Sequence, residues 1–526
     1  MKRTRILTLV LALLMAMSAF TFASAEERPV LTLGVPMSSV VENWDTNTQT
    51  LMIEEYLNCD LVFVEFPSNT SELQQKVDMM VMAGGEDLPD ALLFALPVDT
   101  QVKYGELGMF VDLTDLYDGV NDPFFTEEAA KSSLTKEEIL KYIACPNGKI
   151  YGMPYFVDSL DNSYANSRML IYEPWLEKLG LEMPTNIDEF VDVLRAFKTE
   201  DPNGNGEADE IPLLGNIAGR KNQFIYSLMS PFIYTQEHNF MNVDGTVEFT
   251  ANKDAWREGL MWIRSLVDEG LLSPLTFTQD FNQFKAIMTQ EEVIVGVQPT
   301  NSSSYMPADL VRRIEYIIVE PLEGPEGLKQ ATVTPQLPST KMYITKNCED
   351  VLLAFRLGDY LCSELMSVLD RWGLEDIDWR YPVEGEECAY AAAGVETQFV
   401  TLTSKWGTMQ NTWWGHVGPQ MLLSPWCDGF VCDPMNHLVP LGRSILPMIE
   451  YGNKENGVWG LIYTAEEQAV ITEYQKVIDD YVMESMSRFV TRDLSLEEDW
   501  DAYVAELDAM GLAIYLETVQ AAFDRA

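Results

Sequence analysis

Oxygen-bearing side chains crowd into one short stretch, Asp201-Pro202-Asn203-Gly204-Asn205-Gly206-Glu207-Ala208-Asp209-Glu210-Ile211-Pro212. Asp201, Asn203, Asn205, Asp209 and Glu210 are spaced so that one loop can wrap a hard cation, and Gly206 stands at the sixth position, where such a loop turns sharply. The spacing matches an EF-hand loop through its ninth position, with ligand distances of about 2.3–2.6 Å expected for calcium. The match lapses at the twelfth position, where a bidentate Glu is expected and Pro212 stands, but Glu210 offers a carboxylate two residues earlier. Read as turn chemistry alone, the same Asn, Asp, Gly and Pro residues make a solvated loop. The pattern favours structural Ca2+, a role that holds a loop without naming a function.

Other reactive side chains are sparse. His238, His416 and His437 lie far apart, so imidazole-based metal or triad chemistry has little material. The seven cysteines (59, 145, 348, 362, 388, 427 and 432) form neither a CxxC pair nor a disulfide framework, although Cys427 and Cys432 are close enough for a local bridge. With 35 basic against 82 acidic residues the formal charge is −47, which disfavours nucleic acid and anionic membrane surfaces. Aromatic residues at 11% are too frequent for a disordered acidic chain.

The chain opens Met1-Lys2-Arg3-Thr4-Arg5, runs apolar from Ile6 to Phe22 and reaches Ala23-Ser24-Ala25, a small-x-small cleavage site. Residues 1–25 therefore read as a secretory signal peptide. No cysteine adjoins the cut, so a lipoprotein anchor is not encoded there, and no later stretch is apolar for 18 residues. The expected address is extracellular or cell-surface. About 500 residues remain, enough for two or more domain-sized units.

The elements that must position any site alternate between strand and helix. Val30 to Val35 and Leu61 to Phe66 read as strands, Ser71 as the cap of a helix to Ala83, and Leu88 to Phe94 as a short buried strand. Asn147-Gly148 reads as a hairpin turn before the strand at Lys149 to Tyr155. Asn186 caps a helix from Ile187 to Lys198. Further helices are expected at Pro174 to Leu179, Lys253 to Asp268, Gln279 to Met288, Asp350 to Leu369, Ala465 to Ser485, Leu496 to Met510 and Ile514 to Phe523; Val293 to Val297 and Ile314 to Val319 read as strands. This order predicts an α/β protein with a largely parallel sheet.

Several motifs, in order, resemble the extracellular solute-binding proteins of ABC carbohydrate importers, family 1. Gly148-Lys149-Ile150-Tyr151-Gly152-Met153-Pro154-Tyr155 is similar to that family's GKIYGxPY strand, and Trp175-Leu176-Glu177-Lys178-Leu179-Gly180-Leu181 to its WLxKLGL helix. Ala196-Phe197-Lys198 leads into Asp201 to Pro212 as in its AFK…DPxGNGxxDEIP stretch; Trp372-Gly373-Leu374-Glu375 resembles YGxEG, and Asp499 to Tyr503 and Gln520 to Arg525 its terminal helices. The resemblance is to the large, calcium-containing, oligosaccharide-binding members. It implies an α/β, two-lobed periplasmic-binding-protein-like fold with a hinge and a ligand cleft between the lobes. It adds the backbone carbonyl of Glu207 to the metal ligands Asp201, Asn203, Asn205, Asp209 and Glu210. Lobe 1 would comprise residues 26–156 plus about 314–382, and lobe 2 residues 157–313 plus about 383–526, with hinges near Tyr155 to Asp158, Val311 to Arg313 and Arg380 to Glu384. Many Gram-positive members carry a lipobox Cys, and no such Cys stands here.

Sugars present flat C–H faces edged with hydroxyls, so their sites need aromatic platforms and fixed planar polar groups. In open α/β sheets these belong in loops after strands. Candidates by that criterion are Trp44, Tyr155, Asp158, Tyr164, Asn166, Gln298, Tyr305, Trp406, Trp413 and Trp414. For each aromatic, packing is the competing use. The expected activity is binding without catalysis: a monomeric receptor closes around an oligosaccharide and docks on membrane permease subunits. A secreted polysaccharide-degrading enzyme would show turnover and needs two carboxylates at about 5–5.5 or 6.5–9.5 Å. A binder of a peptide or other solute could share the scaffold. Few basic residues disfavour anionic ligands, unless Arg168, Arg220 or Arg380 is placed to meet one.

Overall fold

The computed structural model describes residues 28–164, 168–217, 223–299, 310–403, 408–431 and 445–525. The expected leader lies outside them, as do Asn166, Tyr305 and Trp406.

The first lobe is built on six strands in the order β15-β4-β12-β3-β1-β2. They are β1 (Val30–Pro36), β2 (Asp60–Phe66), β3 (Ala91–Leu92), β4 (Gly152–Val157), β12 (Ser339–Ile344) and β15 (Gln420–Leu422). β1 is parallel to β2 and β3, β4 is parallel to β15, and β12 runs antiparallel between β3 and β4. Five strands therefore share one carboxyl edge. The second lobe carries β5 (Met169–Tyr172), β6 (Ile211–Leu213), β9 (Val295–Pro299) and β10 (Tyr316–Val319) in the order β10-β5-β9-β6. β5 is antiparallel to β9 and β10, so β6, β9 and β10 end at the edge where β5 begins. Smaller pairings complete the set: the hairpin of β7 (Phe240–Val243) and β8 (Thr246–Phe249), β11 (Ala331–Thr332) beside β17 (Gly452–Asn453), and the sheet of β13 (Trp379–Arg380), β14 (Phe399–Thr401) and β16 (Phe430–Val431).

The apolar periodicities explain the packing. In the Ile187–Thr199 helix, Ile187, Phe190, Val193, Leu194 and Phe197 recur at helical spacing and are buried in the core of lobe 2. Asn186 Oδ1 accepts from the amides of Asp188 and Glu189, as expected of a cap. The terminal helices Ala465–Val490, Trp500–Ala509 and Leu512–Phe523 join the same core through Ile478, Phe489, Trp500, Tyr503 and Tyr515. Lobe 1 has its own core around Leu33, Ile53, Met153, Ile344, Phe355 and Trp414. A third aromatic core of Tyr164, Trp372, Trp379, Phe399 and Phe430 consolidates the small sheet.

Several expectations change. The cap at the helix Thr70–Met82 is Asn69, whose Oδ1 accepts from Ser71 and Glu72, so the cap lies two residues before Ser71. The Asn147-Gly148 turn joins a helix to β4 and is closed by Cys145 and Lys149, not by two paired strands. The long helix expected from Asp350 is two, Val351–Leu361 and Glu364–Trp372, because Ser363 is extended and caps the second through Met366 N. Tyr316–Val319 pairs with β5 in lobe 2, so the second crossing follows residue 319 and the expected return to lobe 1 near 314 comes too early. β15 pairs with β4, which assigns Gln420–Leu422 to lobe 1 although residues from about 383 were expected in lobe 2. Cys427 is a buried free thiol, and Cys432 lies outside the described residues.

Candidate functional site

The chain crosses between the sheets from the carboxyl end of β4 to the amino end of β5, and from the carboxyl end of β10 to the amino end of β12. Both crossings join the edge where β1, β3, β4 and β15 end to the edge where β6, β9 and β10 end. Ligands of open α/β sheets sit beyond the carboxyl ends of strands, so the topology puts the candidate site between these edges.

On the lobe 1 edge, five side chains gather. Tyr155, near the end of β4, is half-buried, and Lys341 Nζ stands 3.4 Å from its ring centroid. Lys341 reaches it because the register of β12 on β4 shifts between Thr340 and Met342, a bulge that re-aims the intervening side chain. The same Nζ donates to His416 O at 3.3 Å. His416 Nδ1 lies 3.2 Å from Asp370 Oδ2, and the His416 ring is 5.3 Å from that of Trp413. Burial pushes the Lys341 ammonium down to about 8 against the opposing pull of Asp370, and pushes the Tyr155 phenol up to about 12. Asp158, at the crossing, accepts from Ser133 N at 3.1 Å and donates its own amide to Leu422 O.

On the lobe 2 edge, Gln298 lies near the end of β9, opposite Leu170. Its side chain is fully buried, and neither Oε1 nor Nε2 has a hydrogen-bond partner. Leaving such a buried amide unpaired costs about 1–3 kcal/mol. Arg168 is buried one residue before β5, while Arg380 is committed to Glu386 at 2.7 and 2.8 Å.

The other aromatic candidates are used for packing. Trp414 is completely buried in the lobe 1 core, with Nε1 donating to Thr50 Oγ1 at 2.9 Å. Trp44 stacks on Phe63 at 5.3 Å and donates to Glu65 Oε1. Tyr164 is buried in the aromatic core of the small sheet. Each sits in a loop or short turn of sequence, but burying a large ring stabilises more than exposing it, and the nearest core takes it. Lys341 and Asp370 were missed. A lysine inside a strand pattern and an aspartate inside a helix pattern carry no local sign of a bulge or of a neighbour on another element.

The Asp201–Pro212 loop follows the Ile187–Thr199 helix and delivers the chain into β6. Asp201 Oδ1 and Oδ2 accept from Gly204 N and Gly206 N, Asn203 Oδ1 from Asn205 N, and Asn205 Oδ1 from Glu207 N. These side-chain-to-backbone turns coil the loop, and Gly204 and Gly206 both take φ +80° to allow it. Asn203 and Asn205 both point their amides at Asp209. Glu210 Oε1 is buried without a partner, as a carboxylate awaiting a cation would be. Among the described residues no three His, Cys, Asp or Glu side chains converge as a metal site, so a cation here depends on amide and backbone oxygens as well.

No family model matches the chain. It is 27% identical over 473 residues to the fructooligosaccharide ABC transporter substrate-binding protein FusA of Streptococcus pneumoniae serotype 4 (strain ATCC BAA-334 / TIGR4), covering 88% of this chain and 85% of that protein. The structure of FusA in complex with kestose superposes with a TM-score of 0.75 at 24% identity, over 94% of this chain and 99% of that one. A FusA EF-hand mutant in complex with fructo-nystose gives the same TM-score at 23% identity over the same shares of the two chains. An extracellular solute-binding protein from Bifidobacterium longum subsp. infantis gives 0.77 at 21%, over 96% and 99%. Two α/β lobes, strand-to-strand crossings that join their carboxyl edges, and a likeness that runs nearly end to end give the chain the fold of these solute-binding proteins.

Proposed function

We propose that the chain captures a neutral oligosaccharide between its lobes and presents it, unaltered, to the permease of an ABC importer. The observation that carries this reading is the facing pair of sheet edges. One bears Tyr155, Lys341, His416, Asp370 and Trp413, and the other bears the unpaired amide of Gln298. Half-buried Tyr155 supplies ring surface for sugar C–H faces, with the buried Trp413 packed behind His416, while Lys341, Asp370 and Gln298 supply donors and acceptors for hydroxyls. FusA binds kestose and fructo-nystose, which makes fructose-containing oligosaccharides the first class to try. The acidic chain suits a neutral ligand better than an anionic one.

Closure follows from contact with both edges: a ligand that touches two lobes favours the arrangement in which both contacts are made. The protein works as an exported monomer, leaving its outer faces free for the permease. Among the described residues no helix is long and apolar enough to cross a membrane. Calcium in the 201–212 loop, held by Asp201, Asn203, Asn205, Asp209, Glu210 and the Glu207 carbonyl, ties the end of the Ile187–Thr199 helix to β6. The EF-hand named in the FusA mutant supports this assignment.

The test is thermal unfolding of the mature chain against an oligosaccharide panel, with recovery of the sugar afterwards. At about 100 times the dissociation constant a true ligand stabilises by about 2.7 kcal/mol. Stabilisation with intact sugar supports the receptor; cleaved sugar identifies an enzyme; silence to every glycan overturns the carbohydrate reading.

A further inference from the structure

A cavity of about 640 Å³ lies in lobe 2 between the turn Glu237–Asn239 and the middle of the Ala465–Val490 helix. That size is within the range of small-molecule sites, roughly 300–1,000 Å³. Ile217, a few residues beyond the carboxyl end of β6, lines it, so the cavity adjoins the lobe 2 edge but is separate from Gln298 and the lobe 1 cluster.

Its polar wall is one connected group. His238 Nδ1 lies 2.7 Å from Asp479 Oδ2, Glu237 Oε1 is 3.6 Å from His238 Nε2, and Gln475 Nε2 is within 2.8 Å of the His238 ring nitrogens. Asp479 Oδ1 is buried without a hydrogen-bond partner. Burial holds the Tyr226 phenol well above its usual range, with Glu237 and Asp479 acting in the same direction, so its hydroxyl stays a donor. The turn that presents the imidazole is strained: His238 and Asn239 take φ +64° and +57°, two consecutive non-glycine residues in the left-handed region. Such strain persists where the surrounding structure imposes it, and it clusters at ligand sites.

The lining also selects the ligand. Among the described lining residues the carboxylates Glu237, Asp479 and Asp480 stand with one lysine, Lys476, which is paired with Asp480. A metal ion lacks three converging ligands here among the described residues. Ile471 and Met483 add apolar surface next to the carboxylate, imidazole and amide groups. A ring with C–H faces and adjacent hydroxyls satisfies both kinds of wall: a hydroxyl proton goes to Asp479 Oδ1, and hydroxyl oxygens accept from Gln475 and Tyr226. We propose that this cavity is a second carbohydrate site, taking one neutral sugar unit on lobe 2 beside the inter-lobe cleft. It rests on the oligosaccharide reading above.

Calorimetric titration of the mature chain with kestose, fructo-nystose and neutral gluco- and galacto-oligosaccharides tests it, using wild type, Asp479→Asn, His238→Gly and Tyr155→Ala. Two binding events are expected. Asp479→Asn and His238→Gly should weaken one at least tenfold, and Tyr155→Ala the other. Glycine accepts the φ of residue 238, so His238→Gly should unfold at the same temperature as wild type or higher, which separates lost binding from lost folding. A single event that the Asp479 and His238 variants leave within twofold overturns the cavity site and spares the cleft. Absence of heat with every glycan overturns both. Binding of tetramethylammonium that Asp479→Asn abolishes, with glycan binding unchanged, overturns the sugar assignment of the cavity.

Discussion

Lys341 sits in an environment that opposes its own charge. An ammonium over the Tyr155 ring gains a cation–π contact, yet burial still moves its pKa from 10.5 to about 8. The lowered value means that the folded state holds the charge less well than the unfolded chain. Below about pH 8 the cost is complete, on the order of 3 kcal/mol at 1.36 kcal/mol per pKa unit. It disappears as pH rises from about 8 to 10.5. Wild type should therefore gain stability across that window, while Lys341→Met should be more stable at pH 7 by about 2–3 kcal/mol and lack the gain. Urea midpoints of both proteins against pH check this, and parallel curves would refute it. At the cation loop, Glu210→Gln should abolish any loss of unfolding temperature on adding a chelator, whereas wild type should lose several degrees. Identical chelator responses would remove calcium from the loop.

At the scale of elements, the segment from β10 to β12 is a strap across lobe 2 as well as a crossing. Gln330 Nε2 donates to Ser230 O at 3.1 Å and Thr332 Oγ1 to Thr235 O at 2.7 Å. Gly324 makes the close approach possible, because a Cβ there would lie 1.8 Å from Pro231 O, a backbone atom that cannot swing aside. Gly324→Ala should cost about 1–3 kcal/mol, as overpacking does, or more where the strap lifts. Denaturant unfolding measures the loss, and a change within 0.5 kcal/mol would show that the strap moves freely. The break at Ser363 serves a related purpose: it lets the Glu364–Trp372 helix turn so that Asp370 reaches His416 and Trp372 Nε1 reaches Trp426 O.

For the whole molecule, the two lobes have separate cores and are joined by crossings and by the aromatic core around Trp372, Trp379 and Phe399. That construction permits rigid-body closure, since each lobe keeps its own buried surface while the angle between them changes. Saturation with the sugar found by the unfolding screen should lower the radius of gyration in small-angle scattering, with the mass remaining that of a monomer. An unchanged radius with demonstrated binding would mean that the lobes do not move on the ligand.

The sequence alone determined whatever is written locally. The Asn186 cap, the apolar stripe from Ile187 to Phe197, the coiled loop at Asp201 and the strand at Met153 all depend on neighbours within a few residues. Their order carried the family resemblance, and it was that resemblance that implied the two-lobed class. Only the tertiary structure decided which side chains share an edge. Tyr155 and Lys341 are 186 positions apart, and they meet through the antiparallel pairing of β4 with β12 and the bulge between Thr340 and Met342. Trp413 and Trp414 are chemically identical neighbours and both are buried, yet Trp413 packs beside His416 and Trp414 inside the lobe 1 core against Thr50. No local pattern separates them, because the groups each ring meets are brought by elements that arrive from elsewhere in the chain.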